Sequence, residues 1–291
     1  MTKMLNNEKM AVNGGKTQPK KAHIHAQDNK SEAPKGLDNP LNNRTLIIDG
    51  DILIYKVACQ VEQAIEWDED LWTLHADFKQ ARDKLADTIT YYELTLLAKR
   101  IVIALGSKDS FRKKINPLYK SNRKKTRKPV VYQPLREWVL ENYKCYVKPK
   151  LEGDDIVGIL ATGNIIEGDK TVLTNDKDMK TIPGTHWFLG DDDYTIIDED
   201  TANYNHMLQS LTGDVADGYK GCPNIGKVTA EKILTPHKNN YKKMWEAVVD
   251  TYKSKGLNSK VALREARMAR ILRASDYNFK TKRPILWQPP A

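Results

Sequence analysis

Acidic side chains recur in four short groups along the chain, and their types and spacing suit metal-assisted chemistry. The groups are Asp49 with Asp51, Glu152 with Asp154 and Asp155, Asp176 with Asp178, and Asp214 with Asp217. Crowded carboxylates repel one another, so a cluster of them needs positive charge nearby. Hard divalent cations with oxygen ligands supply that charge, and Mg²⁺ or Mn²⁺ is the usual choice. Two such ions about 4 Å apart can activate a water and stabilise the leaving oxygen in phosphoryl transfer.

Each acidic residue also has an ordinary structural explanation. Asp155 could cap a helix N-terminus, and Asp176 could belong to a turn. Four groups in one chain nevertheless favour a metal site over coincidence. No histidine pair or cysteine set has zinc-ligand spacing, since Cys59, Cys145 and Cys222 lie far apart in the sequence.

A strongly basic segment follows the second predicted strand. Ten of the 21 residues at 108–128 are Lys or Arg. Phe111 and Tyr119 lie among these cations, where aromatic rings can stack on exposed bases. Lys120 and Arg123, one helical turn apart, could hold a phosphate backbone. We expect the segment to overhang the acidic crevice as a guide for a polyanion; the alternative is a solvated basic loop.

A glycine-rich turn lies between two predicted helices at about 211–234. It contains Gly221, Pro223 and Gly226, and Lys227 follows it. Glycines let a backbone approach a phosphate closely, and the next helix begins with exposed N–H groups. The spacing also places Asp214 and Asp217 on one face of the first helix. We therefore expect a clamp on duplex DNA beside the metal site; a plain connecting loop is the alternative.

The acidic groups follow elements whose pattern predicts an α/β fold. Short apolar runs rich in β-branched residues predict buried strands at 45–49, 100–105, 170–175, 185–190 and 194–198. Helical spacing predicts helices at 76–99, 132–143 and 155–162, the first with Leu85, Ile89, Tyr92 and Leu96 on one face. This alternation indicates a largely parallel central sheet with flanking helices. Ligands bind at the carboxyl ends of strands in such sheets, so we expect the acidic groups to share one crevice.

The chain is expected to have three parts. Residues 1–43 are poor in large apolar side chains, which predicts a disordered basic tail. Residues 44–200 should form the α/β body, with the basic segment as an arch at about 107–130. Residues 201–291 should form a smaller helical region without strands.

Composition narrows the class of protein. The net charge of +9 favours a polyanionic partner, and 40% apolar residues allow a sizeable core in the 291-residue chain. No apolar run is long enough for a membrane span or a signal peptide. We expect a cytoplasmic protein without a membrane partner.

These motifs together resemble the 5′-nuclease superfamily of flap endonucleases and 5′-to-3′ exonucleases, particularly its phage members. The segments that carry the resemblance are Leu46–Asp51, Phe111–Lys113, Tyr119–Lys124, Glu152–Asp155, Asp176–Asp178 and Gly213–Ala230, and toward the end Met268–Arg273, Asp276–Phe279 and Leu286–Pro289. The resemblance covers about residues 44–289. It implies a PIN-like nuclease fold followed by a helix–three-turn–helix motif.

The resemblance also implies residue roles. A first metal ion would be held by Asp49, Glu152, Asp154 and Asp155, and a second by Asp176, Asp178, Asp214 and Asp217. Lys120 and Arg123 would contact the scissile phosphate as catalytic residues, and Tyr119 would stack on the terminal base. Further DNA contacts are expected from Arg112, Lys124, Gly221, Gly226 and Lys227. The glycine turn would also bind a potassium ion.

One position departs from the family pattern. The family has another metal-binding Asp soon after the second strand, where this chain has Ser107; Asp109 lies two residues further on. Either Asp109 substitutes for that ligand or the ligand is missing.

The implied function is divalent-metal-dependent removal of nucleotides from 5′ ends of duplex DNA and of RNA in RNA–DNA hybrids, with flap cleavage, for primer removal, DNA replication or host DNA degradation. We expect a monomer, with replication proteins as further partners. Two alternatives remain: a catalytically weakened DNA-binding protein, which the Ser107 departure supports, and a PIN-type single-strand ribonuclease.

Overall fold

The computed structural model describes residues 43–125, 127–191 and 193–291, without the side chains of Lys124 and Lys125. The expected N-terminal tail lies outside these residues except for Asn43. Within them the strands are β1 Thr45–Asp49, β2 Gln63–Asp68, β3 Leu71–His75, β4 Arg100–Ala104, β5 Cys145–Tyr146, β6 Lys170–Thr174, β7 Gly184–Phe188, β8 Thr195–Ile197, β9 Tyr277–Asn278 and β10 Arg283–Pro284. The helices are α1 Gly50–Val61, α2 Phe78–Thr95, α3 Arg112–Ile115, α4 Tyr132–Asn142, α5 Gly153–Thr162, α6 Glu199–Thr212, α7 Lys227–Leu234, α8 Tyr241–Ser254 and α9 Ser259–Ala269.

The central sheet has the strand order β5-β4-β1-β6-β7-β8. Strand β1 pairs in parallel with β4 and β6, β4 with β5, and β6 with β7, whereas β8 is antiparallel to β7. The predicted largely parallel α/β sheet is therefore confirmed. Because β1, β4 and β6 are parallel neighbours, their carboxyl ends lie at the same edge of the sheet, and the chain leaves each strand there.

Helices cover both faces of β1, which explains why all five of its residues are buried. Successive strand residues point to opposite faces. Leu46 and Ile48 belong to a core with residues of α1, α2 and α4, whereas Ile47 belongs to a core with residues of α5 and the 271–277 segment. The apolar side chains of β1 therefore contribute to two separate hydrophobic cores, one on each face of the sheet.

After β8 the chain is mainly helical, as the sequence indicated. Helices α6, α7, α8 and α9 enclose a third core, which includes Met207, Leu211, Met244, Val248 and Tyr252. The prediction that strands are absent from this part is wrong, because β9 and β10 form a two-stranded sheet. A separate domain beginning at about residue 201 stays a prediction.

A β-hairpin formed by β2 and β3 was not predicted. Its strands pair only with each other in the described part of the chain, and every residue of both is exposed. Among the helices that the structure describes, none combines the length and apolar character needed to cross a membrane.

Candidate active site

A crevice of about 960 Å³ opens at the carboxyl ends of the central strands. The carboxylates that line it are Asp49, Asp51, Asp109, Glu152, Asp154, Asp176, Asp178, Asp214 and Asp217. The basic residues that line it are Lys108, Arg112, Lys113, Lys120, Arg123, Lys128, Arg136 and Lys177. The structure therefore brings residues from all four acidic groups to one place, together with the basic segment.

Asp49 lies in the sharp turn between β1 and α1. Its side chain caps α1 by accepting the Ile52 N–H and also accepts the Thr174 hydroxyl at 2.9 Å. Burial is the main influence on Asp49. The Thr174 hydroxyl opposes it and the Asp51 and Asp176 carboxylates add to it, so that the pKa of Asp49 is raised to about 7. A buried carboxylate facing other carboxylates is a group that a cation would stabilise.

Asp51 is the second residue of α1, and its hydrogen-bond donors come from the loop after β4 and from α4. Its Oδ2 accepts the Gly106 N–H at 2.6 Å, and its Oδ1 accepts the Tyr132 hydroxyl at 3.0 Å. Arg136, one helical turn after Tyr132 on α4, places its Nε 3.8 Å from Asp51 Oδ1 and donates to the Gly106 carbonyl at 2.8 Å. Sequence reasoning missed Arg136, although its i,i+4 spacing from Tyr132 was a usable signal.

Asp176 and Asp178 follow β6, the first directly before the 3₁₀ helix Lys177–Thr181 and the second within it. Asp176 caps this helix by accepting the Asp178 N–H at 2.8 Å. Burial raises the pKa of Asp176. Burial, with added repulsion from Asp176 and Asp214, raises the pKa of Asp178 to about 6.

Asp154 faces the same carboxylates from the first turn of α5. Burial raises its pKa well above the usual range, and Asp49 and Asp176 raise it further. Asp49, Asp154, Asp176 and Asp178 therefore repel one another across a shared space.

Asp155, by contrast, is not among the residues that line the crevice. It is fully buried, and Arg112 donates to both of its oxygens at 2.8 Å. The same oxygens accept the N–H groups of Leu272 and Glu152, each at 3.2 Å. Because every acceptor position faces a protein donor, the structure does not support the expected metal-ligand role of Asp155.

Arg112 is also buried, and its guanidinium contacts other residues of the protein. Only 3% of the residue is exposed. Besides Asp155, its guanidinium reaches Glu152 Oε2 at 3.0 Å and donates to the carbonyls of Met268 and Arg270. The expected contact of Arg112 with DNA is therefore not supported, because its charge and donors are already satisfied.

Tyr119 is also more buried than expected. It is 4% exposed and packs with Tyr219, Met268 and Ala269. Its hydroxyl lies 2.8 Å from Glu152 Oε2 and 3.0 Å from Asp217 Oδ2. Burial raises its pKa, so the hydroxyl stays protonated. The buried ring is not available for the expected stacking on a terminal base. The Tyr119 hydroxyl instead lies between two carboxylates and donates its one proton to either of them.

Lys120 and Arg123 reach into the crevice as the sequence indicated. Lys120 forms an ion pair with Glu152 and lies 3.6 Å from Asp217, and Arg123 pairs with Asp217. Burial alone would lower the pKa of Lys120, but Glu152 and Asp217 outweigh it and raise the pKa.

Glu152 shows the complementary effect. Burial would raise its pKa, but Arg112 and Lys120 lower it to about 2.

The prediction of Asp214 and Asp217 on a helix is wrong. Helix α6 ends at Thr212, and Gly213 has φ +67, a left-handed conformation that favours glycine. Asp214 then begins a tight turn, in which its Oδ1 accepts the N–H of Ala216 at 2.7 Å and of Asp217 at 3.2 Å. Both carboxylates still line the crevice.

The two glycines expected to approach phosphate differ. At Gly221, with φ +66, an added Cβ would lie 2.4 Å from the Gly213 nitrogen, because the chain crosses itself there. Gly226, the N-cap of α7, has no heavy atom of the described residues within 4 Å of such a Cβ. Gly221 is therefore required by the close approach of the backbone to itself. Gly226 and the exposed Lys227, by contrast, leave the N-terminus of α7 accessible to solvent.

Ser107 and Asp109 lie at the rim of the crevice. The Ser107 hydroxyl donates to the Asp109 carbonyl, and the Asp109 carboxylate pairs with Lys113 at 3.1 Å. The Asp109 side chain is 59% exposed, so it lies in solvent rather than among the buried carboxylates. The position of the Lys124 side chain lies outside the described atoms.

The carboxylates of the described residues are not yet arranged as a preformed metal-binding site. Among the described residues, no three acidic, histidine or cysteine side chains are already arranged to hold an ion between them. Lys120 and Arg123 account for part of this, because they occupy the space beside Glu152 and Asp217.

Known proteins resemble this chain over most of its length. The family model for the 5′-3′ exonuclease N-terminal resolvase-like domain matches residues 44–206. An exodeoxyribonuclease of Enterobacteria phage T3 is 31% identical over 280 residues, covering 84% of this chain and 92% of that protein. An exonuclease of Escherichia phage T7 is 30% identical over 280 residues, covering 84% of this chain and 93% of that protein.

A solved structure agrees at the level of the fold. The flap endonuclease of bacteriophage T5, in a complex with DNA and metal ions, has a TM-score of 0.59 at 13% identity and covers 78% of this chain and 89% of that one. The family match, the phage relatives and the shared fold all point to one class of nuclease. The chain therefore belongs to the family of 5′-3′ exonucleases.

Proposed function

We propose that this nuclease hydrolyses phosphodiester bonds at the 5′ ends of duplex DNA, and of RNA paired with DNA, with two divalent ions, Mg²⁺ or Mn²⁺. The observation that carries the proposal is the crevice itself, where carboxylates from four chain segments meet a basic segment. The T5 nuclease has been solved with DNA and metal ions, which supports the same ligands here.

The donor set fits hard divalent ions. The crevice carries nine carboxylates, and no histidine or cysteine is among its described lining residues. Asp49, Glu152 and Asp154 would hold one ion, and Asp176, Asp178, Asp214 and Asp217 the other, directly or through water. When bound, the ions supply a lowered pKa for an attacking water and charge neutralisation at the phosphate.

The chain's own residues bind and orient the substrate. Lys120 and Arg123, which now pair with Glu152 and Asp217, are near enough to turn toward a phosphate and stabilise the charge of its transition state. Lys128 and Arg136 line the same crevice and would add positive charge along the path of the bound nucleic-acid strand. The buried Arg112–Asp155 pair holds the start of α5, so that Glu152 and Asp154 keep their positions.

The glycine turn would bind the duplex beyond the cut. Gly226 and Lys227 open α7 toward solvent, and a helix N-terminus with a nearby cation suits a phosphate. The same proposal includes a potassium ion at this turn, a monomeric state and a cytoplasmic location. It also includes replication proteins as partners and separate domains at 44–200 and 201–291.

A cleavage assay tests the reaction. Purified protein is mixed with 5′-labelled duplex, flap, RNA–DNA hybrid and single-stranded RNA, with Mg²⁺ or with chelator. We expect cleavage of the first three only with Mg²⁺. We also expect Asp176→Asn to lower the rate by at least about a hundredfold while duplex binding persists, because a lost ligand removes several kcal/mol of transition-state stabilisation.

The same assay addresses the alternatives, which family membership does not favour. Binding without Mg²⁺-dependent cleavage of any substrate would identify a weakened DNA-binding protein. Preferential cleavage of single-stranded RNA would identify a PIN-type ribonuclease. Either result would overturn the proposal.

A further inference from the structure

Gln209 on α6 makes a contact that the site described so far does not use. Its Nε2 donates to Asp178 Oδ2 at 2.8 Å, and Gln209 lines the crevice. Within the described residues, Asp178 Oδ1 accepts no hydrogen bond. The amide therefore holds one carboxylate oxygen and leaves the other free.

The orientation of this amide follows from its chemistry. A carboxylate oxygen only accepts hydrogen bonds, so the NH₂ end of the amide must face Asp178. The Gln209 Oε1 atom is then buried without a hydrogen-bond partner in the described part of the chain. An unmet buried acceptor destabilises a fold, so the Gln209 amide needs a reason to keep this orientation.

A neutral donor suits this position. Asp178 lies beside Asp176 and Asp214, so a donor that carries no charge relieves repulsion without competing with a cation for the site. A lysine here would instead form an ion pair, as Lys120 does with Glu152.

We propose that Gln209 is a positioning residue that fixes the Asp178 carboxylate for binding of the second divalent ion. The inference rests on the proposed function, because it assumes that Asp178 binds an ion. Partners that orient metal ligands in this way typically contribute 10- to 100-fold to metal affinity. Gln209 also lies where α6 ends, since its carbonyl accepts the Gly213 N–H at 2.8 Å, just before Asp214.

Asn205 offers a matched control. It lies one turn earlier on α6, and its Nδ2 donates to the Lys180 carbonyl at 2.9 Å. Both amides therefore tie α6 to the same 3₁₀ helix, Lys177–Thr181, but only Gln209 touches a carboxylate. A general loss of packing between these elements would follow from either substitution, whereas a loss of carboxylate orientation would follow from one.

The experiment measures Mn²⁺ binding by calorimetry on the full chain without DNA. We expect two ions in the wild type. Gln209→Met keeps the length but removes the donor, so one of the two ions should bind 10- to 100-fold less tightly while the affinity of the other is unaffected. Asn205→Ala should change both affinities by less than about twofold, consistent with additive, unlinked sites.

Cleavage supplies a second readout. For Gln209→Met, the Mn²⁺ concentration for half-maximal rate should rise by the same factor, and saturating Mn²⁺ should restore the rate. Gln209→Asn, whose amide is one methylene too short for the 2.8 Å contact, should behave alike and covers the case in which the Met variant fails to fold.

Two results separate the failures. Wild-type Mn²⁺ affinities in both Gln209 variants, with loss of an ion in Asp178→Asn, would overturn the role of Gln209 and leave the proposed function standing. No Mn²⁺ binding by the wild type would overturn the proposed function, and this inference with it.

Discussion

The carboxylates in and beside the crevice fall on two sides, which differ in whether the protein itself supplies positive charge to them. On the paired side, three carboxylates meet three cations of the same chain: Asp155 and Glu152 with Arg112, Glu152 with Lys120, and Asp217 with Arg123. On the unpaired side, Asp49, Asp154, Asp176 and Asp178 face one another, and none forms an ion pair within the described residues. Arg112 and Lys120 lower the pKa of Glu152 to about 2, whereas burial and neighbouring carboxylates raise that of Asp49 to about 7.

The difference separates structure from chemistry. A buried carboxylate with a bidentate arginine is satisfied and stabilises the fold only while both partners remain. A buried carboxylate among others is unstable as an anion until external positive charge arrives. The unpaired side should therefore depend most on divalent ions for its counter-charge. On the paired side, the buried Arg112–Asp155 pair is where we expect the protein to resist change.

The largest contrast should appear in the cleavage rate. Asp154→Asn removes a carboxylate from the unpaired side, so we expect the rate to fall by about a thousandfold or more, equivalent to about 4 kcal/mol of transition-state stabilisation. Stability in chelator should stay the same or rise, since repulsion decreases. Asp109→Asn is the control: it removes an exposed carboxylate paired with Lys113, and the rate should change by no more than a few-fold. Cleavage by Asp154→Asn within tenfold of wild type would remove the distinction between the two sides.

The next contrast concerns stability. Arg112→Met leaves Asp155 buried without its partner, and we expect the free energy of unfolding to fall by about 3–5 kcal/mol. Urea denaturation in chelator measures this change. Lys113→Met breaks only the exposed pair with Asp109, which solvent screens, so the free energy of unfolding should hardly change. Equal losses in the two variants would show that the Arg112 network does not stabilise the fold.

The unpaired side also predicts how pH affects stability. The pKa values of Asp49 and Asp178 are raised to about 7 and about 6, so between about pH 4 and pH 7 the folded state binds more protons than the unfolded state. In chelator, the free energy of unfolding should therefore fall by several kcal/mol as pH rises through this window, since each unit of raised pKa corresponds to about 1.4 kcal/mol. Mg²⁺, which binds the deprotonated carboxylates, should remove most of that fall.

Thermal melts at pH 5 and pH 8, with chelator and with Mg²⁺, check this prediction. Asp49→Asn should flatten the pH dependence in chelator. Glu152 has the opposite sign: its lowered pKa contributes stability that is lost only as pH falls from about 4.5 toward 2. Stability that rises between pH 5 and pH 8 in chelator would contradict the raised pKa values.

The sequence predicted the scaffold better than the division of roles. The β1 run at 45–49 and the helix face with Leu85 and Ile89 were recognisable because their periodicity is local. The contrast between Asp154 and Asp155 was not, because it depends on Arg112, which is 43 residues away, and on Leu272, which is 117 residues away. Adjacent residues of a helix start point in different directions, and spacing alone does not say which one meets a cation.

The same limit explains the turn after α6. Helical spacing continued through Asp214 and Asp217, but Gly213 ends the helix with a positive φ where the chain meets Gly221. That crossing is a tertiary contact, and no local pattern encodes it. Gln209 was missed for a similar reason, since a glutamine on a helix carries no signal until its partner Asp178 is known.

The glycine turn also contains one structural and one accessible residue, Gly221 and Gly226. Substitutions there should have the smallest effects on stability and DNA binding. Gly221→Ala places a Cβ at positive φ, 2.4 Å from a backbone nitrogen, so we expect a loss of at least about 1–2 kcal/mol in the free energy of unfolding. Gly226→Ala meets open space at a negative φ, so the free energy of unfolding should fall by no more than the cost of Ala at an N-cap, about 1 kcal/mol. Duplex affinity of Gly226→Ala, measured by fluorescence anisotropy in Ca²⁺, should fall a few-fold, because the methyl group lies where a phosphate would approach α7. If instead Gly226→Ala binds duplex as wild type does, the open glycine has no part in DNA binding, and the accessible end of α7 loses its place in the proposed function.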